Sequence, residues 1–219
     1  MLFSQGDKII FAGDSVTDAE KGPTGEGLFG ALGKGYVSNI AGTFDALYPE
    51  LDLRVVNRGV SGNSIRELAA RWETDVLEAN PDWVAVMIGV NDVWRRFDVP
   101  HIKEAHLTVN EYKETLTDLI ERTLPKVKGM ILMTPYYLEP NRNDPMRAEL
   151  DLRGDIVREL AKCYALPLVD TQEAFDRWMT HGYSAQITWD RVHPNYIGCA
   201  LIEKAFMNAI GFDWNGGLI

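Results

Sequence analysis

The chain has 219 residues, of which 46% are apolar, and its 22 basic and 32 acidic residues give a net charge of −10. These values are typical of a globular protein, so we predict one domain over residues 1–219. An acidic chain is not expected to bind nucleic acid or an anionic membrane, since both attract clustered Lys and Arg. Because no basic leader or membrane-length apolar run is present, we expect a cytoplasmic protein.

Short apolar runs alternate with helical patterns along the chain. They predict strands at 8–12, 53–57, 83–88, 129–133 and 166–169. Helices are expected at 37–47, 65–79, from 108 with a capping box, and around 145–164, 171–179 and 194–210, the last with proline in its first turn. Strands that alternate with helices form a parallel sheet covered on both faces. The predicted fold class is therefore α/β, a three-layer α/β/α sandwich of flavodoxin-like type with a mostly parallel five-stranded sheet.

Ser15 follows the first predicted strand in the sequence Gly13-Asp14-Ser15. The carboxyl end of a buried strand is where open α/β sheets place reactive groups. Serine is a poor nucleophile unless a neighbouring base accepts its proton. Asp190 and His193, three residues apart near the other end of the chain, offer such a base with a carboxylate to orient it. These two ends of the chain together suggest acyl transfer.

Two further strand ends lead into loops that can stabilise a developing oxyanion. One loop contains Ser61-Gly62 and the other contains Gly89-Val90-Asn91-Asp92. Because the strands are parallel, these loops and Ser15 are expected at one edge of the sheet. The backbone N–H groups of Ser15 and Gly62 and the side-chain amide of Asn91 are then candidate oxyanion donors.

These blocks resemble those of the SGNH (GDSL-type) hydrolase family, in the family's order and over nearly the whole chain. The resemblance implies Ser15 as nucleophile, His193 as base and Asp190 as its orienter, with Ser15, Gly62 and Asn91 forming the oxyanion hole. It implies no metal and no cofactor. Val16 departs from the leucine that many members have after the serine, which is a conservative apolar change.

Within the family, the blocks are most similar to intracellular bacterial esterases that remove acetyl groups from xylan fragments. The resemblance therefore implies a small acylated substrate, an acetylated sugar. Trp94, Trp189 and Tyr136 flank the motifs and are candidate walls of the substrate site, although aromatic residues more often belong to a core. Aromatic-rich loops and the apolar end of the tail, Leu218-Ile219, suggest a homo-oligomer.

Three competing functions stay open on the sequence. A thioesterase or lysophospholipase of the same family would share the chemistry but needs a long apolar groove. A flavodoxin-like phosphate-binding module is disfavoured, because residues 13–18 match neither G-x-G-x-x-G nor a Walker A loop. A phosphotransferase would use Asp14 as its nucleophile, whereas the simpler interpretation is that Asp14 hydrogen-bonds within its own loop.

Overall fold

Five parallel strands form the central sheet of the computed structural model, which describes residues 1–103 and 106–217. Their order across the sheet is β2-β1-β3-β4-β5, and every neighbouring pair is parallel. The strands are β1 Lys8–Gly13, β2 Arg54–Gly59, β3 Trp83–Met87, β4 Gly129–Met133 and β5 Leu168–Val169. The predicted α/β class is confirmed. Leu218 and Ile219 lie outside the described residues.

Alternate residues of each strand enter two separate apolar clusters. In β1, Ile9 and Phe11 pack with helices on one face, while Ile10 and Ala12 pack with helices on the other. This alternation buries the sheet on both sides and produces the three layers. Burying each Ile or Phe side chain of this strand contributes about 1.5–3 kcal/mol.

The helices connect the strands and cover both faces of the sheet. Among the described residues they are α1 Ser15–Asp18, α2 Tyr36–Leu47, α3 Ile65–Ala70, α4 Val90–Asp98, α5 Val109–Thr123, α6 Pro145–Cys163, α7 Thr171–Met179 and α8 Tyr196–Ala209. None of these described helices is both long and apolar enough to cross a membrane.

Helix α3 is shorter than the helix predicted over 65–79. It ends at Ala70, and a wider π-type turn follows at Glu73–Leu77. At the break, the guanidinium of Arg71 donates to the backbone oxygens of Gly13 (3.0 Å) and Arg58 (2.8 Å). These bonds join the helix end to β1 and β2. Long-range contacts therefore override the local helical pattern here.

Three other departures from the sequence pattern lie at helix starts. Residues 90–92, expected in a loop, form the first turn of α4, and Gly89 is the N-cap of that helix. Helix α8 begins after Pro194, because the Asn195 side chain caps it by accepting from the Ile197 N–H at 2.9 Å. Thr108 caps α5, but Glu111 pairs with Arg66 instead of completing the capping box.

The side chain of Asn57, in β2, makes hydrogen bonds to α1 and to the loop that follows α1. This fully buried side chain donates to the backbone oxygens of Thr17 (2.6 Å) and Leu32 (2.9 Å). Its Oδ1 accepts from the Gly59 N–H at 2.9 Å. Thr17 and Gly59 are buried, where water does not replace these bonds, so the amide fixes α1 and the loop after it against the sheet.

We expect Asn57→Ala to lower the free energy of unfolding by about 3 kcal/mol, since it leaves buried polar groups without partners. Chemical denaturation monitored by circular dichroism measures this loss. Asn143→Ala is the matched control, because Asn143 is exposed and its loss should cost less than about 0.5 kcal/mol. Equal effects of the two substitutions would contradict the role of Asn57.

Candidate active site

The strand register brings the predicted site residues to one edge of the sheet. Gly13 at the end of β1 pairs with Gly59 in β2 and with Met87 in β3. Ser15 begins α1 two residues after this level, and the Gly62 loop follows β2. Asn91 lies in the first turn of α4, directly after β3. The expected convergence of these three loops is therefore observed.

Ser15, His193 and Asp190 form a continuous hydrogen-bonded chain. Ser15 Oγ lies 2.8 Å from His193 Nε2, and His193 Nδ1 lies 2.5 Å from Asp190 Oδ2. The imidazole is therefore in position to accept a proton from the hydroxyl, with its other nitrogen held by the carboxylate. This geometry is that of a nucleophile, a base and an orienting group.

The loop before α8 holds Asp190 tightly in place. Its Oδ1 accepts from the N–H groups of Val192 (2.9 Å) and His193 (2.8 Å) and from the Thr188 hydroxyl (2.8 Å). Burial by itself raises the pKa of Asp190, but the hydrogen bonds from the side chain and backbone of His193 and from its other partners outweigh it. The pKa is therefore lower than usual, and the carboxylate is charged at neutral pH.

The three groups predicted as oxyanion donors lie where the chain leaves β1, β2 and β3 at this edge of the sheet. Within 1–103 and 106–217, the N–H groups of Ser15 and Gly62 donate no hydrogen bond to the protein. Gly62 adopts φ of 84°, a conformation that favours glycine. Asn91 is buried, and its Nδ2 also donates to the backbone oxygen of Asn63 at 3.0 Å. Asn91 therefore holds the loop that contains Gly62.

Asp18 is a positioning residue that the sequence analysis missed. Its Oδ2 accepts from the Ser61 hydroxyl (2.6 Å) and the Ser61 N–H (3.2 Å). Asp18 ends α1, so these bonds tie the Gly62 loop to the helix that begins with Ser15. The sequence shows that Asp18 lies three residues after Ser15. Only the tertiary structure shows that its partner is Ser61, in another loop.

Two buried carboxyl groups, Asp14 and Asp92, lie beside the candidate donors. Asp14 caps α1 by accepting from the Val16 N–H at 3.0 Å, which confirms its expected role within its own loop. Asp92 accepts from the Ile65 N–H at 3.2 Å. Burial raises the pKa of Asp14 to about 6 and the pKa of Asp92 to about 7. The hydrogen bonds of Asp14 and Asp92 thus hold the first turns of α1 and α3 from inside the protein.

The three aromatic candidates occupy different positions. The Trp94 ring lies 5.9 Å from the His193 ring, between centroids, and Trp189 is 88% exposed. Tyr136 is only 3% exposed, and its hydroxyl donates to the Val192 backbone oxygen at 2.8 Å. Its side chain supports the loop that carries His193, and it also lines a small hollow together with Asp14 and Val16. The substrate contact of Tyr136 therefore stays a prediction.

Two hollows of very different size lie beside the predicted catalytic residues or their sequence neighbours. The large cavity has a volume of about 360 Å³, and its walls include Ser15, Ala19, Glu20, Lys34, Ser61 and His193. The small hollow has a volume of about 10 Å³ and is lined by sequence neighbours of the predicted catalytic groups, including Asp14, Val16, Val90 and Val192. A space of that size holds one water-sized group. In the described part of the chain, no group of three or more His, Cys, Asp or Glu is arranged to hold a metal ion.

Comparison with known proteins places the chain among acylhydrolases. It matches the GDSL-like lipase/acylhydrolase family model over residues 11–201. A curated acetylxylan esterase of Geobacillus stearothermophilus is 50% identical over 215 residues, which are 98% of each chain. A solved structure of an acetylxylan esterase from that organism has a TM-score of 0.96 at 50% identity, again over 98% of each chain.

Further solved structures support the same assignment. An α/β hydrolase from the metagenome of Lake Arreo, Spain, has a TM-score of 0.94 at 51% identity, covering 96% of this chain and 98% of that one. Structures of the Geobacillus enzyme include variants described as catalytic mutants, in which a serine, an aspartate or a histidine is replaced by alanine. The family match spans most of the chain and confirms the resemblance seen in the sequence. The chain therefore belongs to the GDSL-like lipase/acylhydrolase family and is a carboxylic ester hydrolase.

Proposed function

We propose that this hydrolase removes acetyl groups from carbohydrates, with xylan-derived oligosaccharides as its substrate class. The observation that carries the mechanism is the chain of hydrogen bonds from Ser15 through His193 to Asp190, with distances of 2.8 Å and 2.5 Å. The substrate class is supported by the 50% identity to an acetylxylan esterase. The catalytic mutants of that relative replace the same three residue types.

In the proposed reaction, Ser15 Oγ attacks the ester carbonyl carbon while His193 Nε2 accepts the hydroxyl proton. The tetrahedral intermediate then collapses, the bond to the alcohol oxygen breaks, and His193 gives its proton to that oxygen. Water attacks the acyl-enzyme as His193 takes one of its protons, so that acetate leaves and Ser15 recovers its proton. Asp190 keeps the Nδ1–H in place and stabilises the charged imidazolium throughout.

The oxyanion of each tetrahedral intermediate is stabilised by the N–H groups of Ser15 and Gly62 and by the amide of Asn91. The two backbone groups have no protein partner among the described residues, so they need not break a hydrogen bond to receive the oxygen. Rigidly held donors stabilise the negative charge of the transition state better than water does, because they need not reorient as the charge develops.

The two hollows favour a small acyl group over a long chain. The small hollow has room for about one methyl-sized group. The wall of the large cavity is mixed: Glu20, Lys34 and Ser61 interrupt its apolar residues. A thioesterase or lysophospholipase needs a continuous apolar groove for its acyl chain, and this mixed wall does not supply one. We therefore favour acetyl esters.

An aspartyl phosphotransferase and a phosphate-binding module are less compatible with the site. Asp14 is 3% exposed and its carboxylate caps α1, so it is not presented to a substrate as an aspartyl nucleophile. A phosphate-binding module without catalysis is wrong, because the family is one of acylhydrolases. We retain Trp94 and Trp189 as proposed contacts for a sugar ring, since both lie close in sequence to groups of the site.

Cellular location, oligomeric state and domain extent stay predictions. A cytoplasmic location is measured by cell fractionation with the full chain. Self-association is measured by sedimentation of the purified protein. The single domain over 1–219 predicts one cooperative unfolding transition.

We expect Ser15→Ala to abolish ester hydrolysis while leaving the fold intact, because the nucleophilic oxygen is removed. Turnover of 4-nitrophenyl acetate and the circular dichroism spectrum measure the two effects. Ser4→Ala is the matched control, since Ser4 is an exposed serine near the amino terminus, and it should retain full activity. Appreciable turnover by Ser15→Ala would exclude Ser15 as the nucleophile.

We expect Asn91→Ala to lower kcat by about 10²–10³, the usual effect of losing one oxyanion donor. KM should change little, because the oxyanion forms only after the substrate has bound. Asn91→Asp should lower kcat at least as much, since it places an acceptor where a donor is required. An increase in KM with an unchanged kcat would show that Asn91 binds the ground state instead.

Acyl-chain length tests the proposed substrate class. We expect kcat/KM for the octanoyl nitrophenyl ester to be roughly 100-fold below that for the acetyl ester, because extra methylenes overfill the small hollow. Val90→Ala should raise the propionyl-to-acetyl ratio by enlarging it, whereas Val37→Ala, equally buried in α2, should not. A preference for octanoyl esters would favour a lysophospholipase.

A further inference from the structure

The position of the base shows which hollow receives the alcohol part of the ester. The leaving oxygen takes its proton from His193, so the alcohol must lie in a space that His193 borders. The large cavity, of about 360 Å³, is bordered by both Ser15 and His193. The small hollow is bordered by Val192 but not by His193. The alcohol therefore enters the large cavity, and only that cavity is large enough for a sugar ring.

An exposed ion pair forms part of the wall of the large cavity. Lys34 Nζ lies 2.5 Å from Glu20 Oε2, and their side chains are 77% and 74% exposed. Such exposed pairs contribute only about 0–1 kcal/mol, so a ligand can exchange with either partner at little cost. A carboxylate accepts and an ammonium donates, which complements two neighbouring hydroxyl groups of a pyranose ring.

The backbone that carries Glu20 is held in a conformation that residues other than glycine rarely adopt. Ala19 and Glu20 have φ values of 43° and 60°. The Lys34 N–H donates to the Ala19 oxygen at 2.7 Å, which keeps the two segments together. At Gly33, a Cβ atom would lie 2.7 Å from the same oxygen, so only glycine allows this approach.

The strained backbone at Ala19 and Glu20 forms part of the wall of the large cavity. Left-handed residues other than glycine cost about 1 kcal/mol each and persist where the surrounding structure imposes them, often at binding sites. The bond from Lys34 to Ala19 places both members of the ion pair on the same wall. Ser61, on the same cavity, donates its hydroxyl proton to Asp18, which leaves its oxygen lone pairs as acceptors for a ligand hydroxyl.

We propose that Glu20 and Lys34 form a sugar subsite that binds the hydroxyl groups of the ring whose acetyl ester is cleaved. This inference rests on the proposed acetylcarbohydrate esterase function and extends it to residues outside the chain of hydrogen bonds from Ser15 to Asp190. The subsite binds the hydroxyl groups of the sugar ring alone. Aryl acetates have no such hydroxyl groups and therefore do not use it.

Paired substrates test the subsite. We expect Glu20→Ala and Lys34→Met each to raise KM for acetylated xylo-oligosaccharides by about 10-fold, the value of one hydrogen bond to a charged group. For 4-nitrophenyl acetate, kcat/KM should stay within about two-fold of the unchanged protein, because the reacting groups are untouched. Glu159→Ala and Lys113→Met are the matched controls, since these residues form an exposed ion pair between α5 and α6.

Competitive inhibition gives a second measurement that does not depend on cleavage of a sugar ester. Xylobiose, which carries no acetyl group, should inhibit hydrolysis of 4-nitrophenyl acetate by occupying the subsite. Its inhibition constant should rise about 10-fold in Glu20→Ala and Lys34→Met, and not in the two control variants.

The outcomes distinguish failure of the subsite from failure of the proposed function. If the unchanged protein cleaves acetylated xylo-oligosaccharides and both variants keep its KM and inhibition constant, the subsite is wrong and the substrate class stands. Equal losses on sugar and aryl acetates also overturn the subsite, because they indicate damage to the reacting groups. If the unchanged protein cleaves aryl acetates only and xylobiose does not inhibit, both proposals are wrong.

Discussion

The parallel register of the three strands β2, β1 and β3 is the constraint on which the site depends. Gly13 is level with both Gly59 and Met87, so the chain leaves all three strands at the same height. Ser15 and the two loops that follow therefore begin from one edge, and short connections suffice to bring them together. The apolar clusters on both faces of the sheet maintain this register, since a slip of one residue would exchange the two buried faces.

Hydrogen bonding and burial divide the carboxyl groups of the site into two kinds. Asp190 accepts enough hydrogen bonds to lower its pKa, and it remains a charged partner for His193. Asp14 and Asp92 lie deeper, and burial raises the pKa of each. One carboxylate thus serves the imidazole while the other two cap neighbouring segments. Asp18 adds a bond between α1 and the Gly62 loop, so the candidate oxyanion donors are supported from several sides.

The two hollows, one lined by Ser15 and the other by its sequence neighbours Asp14 and Val16, connect the proposed mechanism with a choice of substrate. A hollow of about 10 Å³ and a cavity of about 360 Å³ offer unequal room for the two parts of an ester. In our proposal the acetyl methyl group takes the smaller space, and the sugar takes the larger space beside Glu20 and Lys34. The chemical step and the recognition of the alcohol are then carried by different residues, which is why paired substrates can separate them.

The sequence by itself determined the class of fold, the approximate strands and the blocks that carry Ser15, Asn91 and the Asp190–His193 pair. These features are local: apolar runs, helical periodicity and a spacing of three residues are all readable without knowing the neighbours in space. The tertiary structure alone decided the break in α3 at Arg71 and the burial of Tyr136. It likewise decided the links that Asn57 and Asp18 make and the wall formed by Glu20 and Lys34. Each of these depends on contacts between separate segments, and no local pattern specifies which segments meet.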